Sequence, residues 1–179
     1  MRVILALSAA AVLCVGAATF AQEEKVAKEG EKAPDFKLIG TDGKEYTLKQ
    51  FAGKQAVVIA WFPKAKTRGC TAECMSMRDN GETIRKYDVA YFTASVDDPK
   101  LNKEFAEELK LDFPILSDPE TKTAKAYGVY DADRKVANRW TFFIDKDGVL
   151  KSIDKMVKTA SHGEDIAKKL EEMGVAKKK

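Results

Sequence analysis

The chain has 179 residues, 45% hydrophobic and 33% charged, with Gly and Pro in ordinary numbers. That balance supports one globular domain with its own core and excludes a disordered or collagen-like chain. Net charge is only +3 with the signs interspersed, which excludes the basic stripe that nucleic-acid binding requires.

At the N-terminus, Arg2 precedes an apolar run from Val3 to Ala18, and Thr19-Phe20-Ala21 leads into the polar Gln22-Glu23-Glu24-Lys25. This is the pattern of a secretory signal peptide over residues 1–21, with the small Ala21 at its cleavage point. The run is short of the about 20 residues that a membrane span needs. Cys14 follows bulky Leu13, where a lipid-attachment site wants a small residue, and it leaves with the signal. The expectation is an exported protein, periplasmic in a bacterium, with no stable membrane association after cleavage. The mature chain keeps two cysteines, Cys70 and Cys74. Export suggests a disulfide, yet a bridge closing so short a loop constrains the unfolded chain little and explains little as a staple.

Residues 22–32 are polar and read as a flexible lead-in, and the folded domain covers 33–174. Asp35 to Leu38 alternates as a half-buried strand, Thr41-Asp42-Gly43-Lys44 reads as a turn, and Glu45 to Leu48 as the returning strand. The continuous apolar run Ala56 to Phe62 marks a central strand buried on both faces, stopped by Pro63. A helix is predicted from Gly69–Thr71 towards Ile84 and Lys86, weakened at Gly81. A second buried strand follows over Val89 to Val96.

Asp98-Pro99 supplies an N-cap and a first-turn proline for a helix whose apolar face carries Leu101, Phe105 and Leu109. Phe113 to Leu116 reads as a short strand, and Thr121 to Tyr127 as a short helix ended by Gly128. Trp140 to Ile144 and Val149 to Ile153 flank Asp145-Lys146-Asp147-Gly148, a hairpin signal. The last helix opens with Ser161 and Glu164 in capping-box spacing and buries Ile166, Leu170 and Met173. Residues 175–179 read as a basic, solvated tail. Strands alternating with helices, then a hairpin plus helix, predict an α/β three-layer sandwich around a mixed sheet with an N-terminal hairpin.

The stretch "PKAKTRGCTAEC" carries the chemistry. Cys70 falls where a central strand gives way to a helix, so the first amide groups and positive dipole end favour a thiolate there. Lys64, Lys66 and Arg68 add positive potential, and the Thr67 hydroxyl is near enough in sequence to donate a hydrogen bond. Cys74 follows by one helical turn, with α-carbons about 6 Å apart in a regular helix. A bridge between the two would require the first turn to unwind and would be readily reduced. The alternative for Cys74 is a small core residue on the face that presents Met77 and Ile84.

These segments resemble peroxiredoxins of the bacterioferritin-comigratory-protein, or PrxQ, type over about Gly30 to Leu170. The likeness rests on "GEKAPDFKLIGTDGKEYTL", "AVVIAWFPKAKTRGCTAEC", "SVDDPKLNKEFAEELKLDFPILSD" and "RWTFFIDKDG". Pro63, Thr67 and Cys70 match the family's Pro-x3-Thr-x2-Cys signature. The resemblance implies a thioredoxin-like fold and thiol-dependent reduction of hydrogen peroxide and organic hydroperoxides, without a cofactor or metal. By the same resemblance Cys70 matches the peroxidatic cysteine, Thr67 the hydroxyl at the peroxide oxygen, and Pro63 the shield of the pocket from water. Arg139 matches the arginine that holds the thiolate, and Glu73 the acid that orients it. The implied partners are a hydroperoxide and a thioredoxin-like or small-thiol reductant, for a monomer or weak dimer.

Two departures stand out. The usual nearby resolving cysteine comes five residues after the peroxidatic one, where this chain has Met75, so either Cys74 resolves or an outside thiol does. Arg68 stands where the family usually has proline. A different class, the copper-binding Sco proteins, shares a Cys-x3-Cys and a distant histidine. Cys70, Cys74 and His162 would then form a soft Cu(I) site. His162, the only histidine, comes after the late hairpin rather than before its first strand, and beside Ser161 it reads as a surface residue at a helix start.

Overall fold

Strand β3 (Ala56–Trp61) organises the molecule: all six of its residues are buried, and they alternate between two cores. The computed structural model describes residues 26–178. Val57, Ile59 and Trp61 pack with Phe92, Leu116, Tyr127, Phe142 and Ile144 on one face. Ala56, Val58 and Ala60 pack with Met77, Ile84, Phe143, Ile166 and Leu170 on the other. A strand buried on both faces needs apolar residues at every position, which is why the run Ala56 to Phe62 is uninterrupted. Each large side chain so buried contributes roughly 1.5–3 kcal/mol.

The sheet has seven strands in the order β2-β1-β5-β4-β3-β8-β9. β1 (Lys37–Gly40) and β2 (Glu45–Thr47) form the N-terminal hairpin at one edge, and β8 (Thr141–Ile144) with β9 (Leu150–Asp154) the hairpin at the other. Between them, β3, β4 (Val89–Ser95) and β5 (Ile115–Ser117) run parallel, while β8 is antiparallel to β3 and β1 to β5. The sheet is therefore mixed. Helices α1 (Arg68–Asp79), α2 (Gly81–Ile84), α3 (Pro99–Glu108) and α5 (His162–Glu172) contribute to the core on one face. α4 (Lys122–Ala126) and a 3-10 turn at Leu48–Phe51 cover the other, giving the expected three layers. A two-residue hairpin, β6 (Tyr130–Asp131) and β7 (Val136–Ala137), precedes β8.

Several local expectations are revised. The segment read as a flexible lead-in over residues 22–32 is fastened from residue 26 onwards: Ala27 N donates to Ala126 O and Gly30 N to Leu150 O, and Ala27 is buried. Backbone donors, which a reading of side-chain polarity ignores, hold it. The tail over 175–179 is likewise tied down as far as it is described, with Lys178 N donating to Lys86 O and Asp88 N to Ala176 O. The long helix expected to reach Ile84 breaks at Asn80, whose amide side chain donates to Ser76 O. The capping box at Ser161 does not form: the Ser161 hydroxyl donates to the Asp165 carboxylate instead of capping the helix amides. The signal peptide expected over residues 1–21 lies outside the described residues. Among the described residues, no helix is long and apolar enough to cross a membrane.

Candidate active site

The carboxyl end of a parallel strand in an open α/β sheet is where loops gather, and β3 delivers its chain there. Phe62 N donates to Ala94 O, extending the ladder by one residue, and the Phe62 ring packs edge-on against Phe105 of α3. Pro63, without an amide hydrogen and only partly buried, ends the pairing. Two anchors then hold the loop. Ala65 N donates to Asp97 Oδ2 at 2.8 Å, and Lys66, in the left-handed region at φ 62°, reaches Glu108 on α3 at 2.5 Å. Lys66 thus serves α3, so of the three basic residues expected to charge this region it is already matched, while Lys64 and Arg68 are exposed.

Thr67 stands at the N-cap of α1 in an extended conformation. Its hydroxyl donates to Lys64 O at 2.9 Å, not to Cys70 as its proximity in sequence had suggested, and it accepts from no helix amide. The first-turn amides are left without a side-chain cap, and Cys70, the third helical residue, sits among them. That end of the helix favours negative charge.

Arg139 arrives from the short link between β7 and β8. Its Nη2 donates to Cys70 Sγ at 3.3 Å, and its Nη1 donates to Glu73 Oε2. Gly69 permits this approach, since a Cβ there would lie 3.2 Å from Arg139 Nη2. The two donors in a rigid fork fix the guanidinium on sulfur and carboxylate together. Cys70 and Glu73 are fully buried, and Arg139 is 22% exposed at its side chain. The structure therefore brings Arg139, distant in sequence, onto Cys70 and Glu73, which are neighbours on α1.

His162 is where the sequence reading fails. It is not a surface residue but is buried in contact with this group, 1% exposed. Its Nδ1 lies 3.2 Å from Glu73 Oε1 and its Nε2 lies 2.8 Å from Thr141 Oγ1. Burial pushes its pKa down to about 4, against the upward pull of Asp154 and Asp165, with Arg139 adding to the depression. A lone histidine beside a serine at a helix start looks the same whether it meets solvent or a buried carboxylate. Thr141 gave no signal beyond being a strand residue.

Cys74 is buried among Phe62, Phe105 and Cys70. Burial, with the neighbouring Cys70 second, pushes its thiol up to about 12, and Thr93 pulls slightly the other way. The next residue, Met75, is 37% exposed. One step along a helix turns the side chain by about 100°, so a cysteine at 75 would face outward while Cys74 faces the core. Both cysteines are free thiols. Cys70, Cys74 and His162 do not converge on a copper site, because both ring nitrogens of His162 face Glu73 and Thr141. Among the described residues, no group of three or more His, Cys, Asp or Glu is arranged to hold a metal ion.

A family model described as the AhpC/TSA family matches residues 29–153. Peroxiredoxin Bcp of Escherichia coli is 33% identical over 141 residues, covering 75% of this chain and 90% of that protein. Peroxiredoxin Bcp of Bacillus subtilis is 32% identical over 150 residues, covering 80% and 95%. Among solved structures, Peroxidoxin BcpB of Mycobacterium tuberculosis superposes with a TM-score of 0.74 at 26% identity, over 82% of this chain and 98% of that one. A PrxQ mutant of Xylella fastidiosa, at 20% identity and a TM-score of 0.76, shares the thioredoxin-like fold.

Proposed function

The chain belongs to the AhpC/TSA family of peroxiredoxins, and from that premise we propose that it is a thiol-dependent peroxidase whose peroxidatic residue is Cys70. The observation that carries the reading is the Arg139 guanidinium on the Cys70 sulfur, with Glu73 on its other arm. Thiolate attack on a peroxide needs a stabilised sulfur anion and donors for the charge that develops on the departing oxygen. The Cys70 thiolate attacks one peroxide oxygen, the O–O bond breaks, and the other oxygen leaves as hydroxide or alkoxide and takes a proton. Cys70 is left as a sulfenic acid. Thr67 at the exposed rim and Pro63 at the strand end are the residues we assign to hold the peroxide and to limit water. The substrates are hydrogen peroxide and small organic hydroperoxides. Replacing Cys70 with Ser abolishes peroxide consumption, and retained activity would remove the reading.

A second thiol condenses with the sulfenic acid, releasing water and forming a disulfide, which a thioredoxin-like or small-thiol reductant then reduces. We assign Cys74 as the resolver, acting once the first turn of α1 has unwound. Its burial and its raised pKa support a second reading, in which an outside thiol resolves Cys70 directly. Mass spectrometry after one equivalent of peroxide separates them: an intramolecular Cys70–Cys74 bond supports the first, and a persistent sulfenic acid or an intermolecular dimer supports the second. The N-terminal sequence supports export to a periplasm and cleavage after Ala21, which N-terminal sequencing of the protein from cell envelopes tests. The protein works as a monomer or weak dimer, which sedimentation tests.

A further inference from the structure

We propose that His162 is a positioning residue of this site: backed by Thr141, it holds the Glu73 carboxylate, and through it the Arg139 guanidinium, against the Cys70 sulfur. The inference rests on the peroxidase reading for its consequence and on geometry for its content.

The outer torsion of a glutamate side chain is broad, so one partner leaves the carboxylate free to rock about its own axis. Here each oxygen has its own neighbour, Arg139 Nη1 at Oε2 and His162 Nδ1 at Oε1. Glu73 Oε1 and His162 Nδ1 are both fully buried and neither makes a hydrogen bond to any group, so each, at 3.2 Å, is the other's available partner. An ionised carboxylate only accepts, which places a proton on Nδ1. A neutral imidazole then accepts at Nε2, and the Thr141 hydroxyl donates to it across 2.8 Å. The depressed pKa of His162 agrees with this neutral form. With that proton in place, each step of the relay Thr141, His162, Glu73, Arg139, Cys70 pairs a donor with an acceptor.

The fold also makes room for it. α5 meets α1 at Gly163, whose amide donates to Ser76 Oγ at 3.1 Å. A Cβ at Gly163 would lie 2.3 Å from the Ser76 carbonyl oxygen, so any other residue pushes the start of α5 away from α1. Gly163 is what lets His162 reach Glu73.

The test compares six full-length variants by the rate of Cys70 oxidation with hydrogen peroxide and by the rate of Cys70 alkylation with iodoacetamide. An asparagine amide nitrogen overlays Nδ1 of histidine, and a glutamine amide nitrogen overlays Nε2. His162→Leu is expected to slow both reactions about 10-fold, the worth of one hydrogen bond to a charged group. His162→Asn keeps the donor to Glu73 and stays within about threefold of the parent, whereas His162→Gln is as slow as the leucine variant. Gly163→Ala, which retains the imidazole but displaces it, falls on the slow side. In a Glu73→Gln background, His162→Leu adds less than about twofold, because its target has lost its charge. Equal rates for the leucine variant and the parent, or equal rescue by Gln and Asn, overturn the proposal. Should His162→Leu not fold, the comparison of Asn with Gln decides alone. A parent protein inert to peroxide would remove the peroxidase reading, while the order of alkylation rates would still judge His162.

Discussion

α1 and α3 begin alike, each just past the carboxyl end of a parallel strand, and they are finished in opposite ways. α3 is closed by its own sequence: Asp98 accepts from Lys100 N at 2.8 Å and Pro99 fills the first turn, all of it exposed. α1 has Thr67 at the equivalent place, but its hydroxyl turns to Lys64 O and no side chain caps the helix. What completes the start of α1 comes from far away, as Arg139 and His162 converge on Cys70 and Glu73. A helix start capped by its neighbours gives stability, and one left open to distant residues gives a place for negative charge.

The comparison breaks most sharply at Arg139. Arg139→Ala removes the donor to Cys70 Sγ and leaves Glu73 buried beside an uncharged gap. Peroxide reduction is expected to fall by about 100- to 1000-fold, the usual effect of removing one preorganised donor from a developing charge. Stopped-flow oxidation of Cys70 measures it. Arg139→Lys recovers little, because a point charge cannot span sulfur and carboxylate as the planar fork does. No substitution at the start of α3 approaches this effect on rate.

The contrast also explains what could be read from the sequence. β3, β4 and α3 were legible because their signals are local: a continuous apolar run, and Asp98-Pro99 ahead of a periodic face. The two-residue strands β6 and β7 are too short for any periodicity to show. In the site, Cys70 and Thr67 stood out together in one motif, and Arg139 and Glu73 followed from a family resemblance. His162 did not, because nothing in Ser161-His162-Gly163 reports that a buried carboxylate on α1 faces it. Cys74 was open to two readings, a resolving thiol by spacing or a small residue on the core face with Met77 and Ile84, and its burial matches the core face, with the next residue, Met75, exposed.

Acid should separate the two helix starts next. His162 has a folded pKa of about 4, below the ordinary 6.5, so between these values the unfolded chain binds a proton that the folded chain refuses. The contribution is complete above about pH 6.5 and is lost progressively as pH falls, with the loss finished below about 4. A shift of that size corresponds to on the order of 3 kcal/mol. The groups facing His162 from the packed elements are Glu73 and Arg139, with Asp154 and Asp165 close by. Urea unfolding of parent and His162→Asn from pH 7 to pH 4 is therefore expected to show the parent losing more stability. Parallel losses would mean that the imidazole takes up its proton in the fold as readily as in the unfolded chain.

The smallest effect is the one that isolates the local cap. Asp98→Ala removes the acceptor for Lys100 N and is expected to lower stability by about 1 kcal/mol, or about 3 °C in melting temperature, with peroxide reduction unchanged. Thr67→Val removes a hydroxyl that caps nothing in α1, so its effect on stability is about 0.5 kcal/mol or less while peroxide reduction slows. The two substitutions thus trade places between a melting curve and a rate measurement. If Thr67→Val melted as early as Asp98→Ala, the hydroxyl would be a helix cap in solution, and the open amides proposed to favour a charged sulfur would not be open.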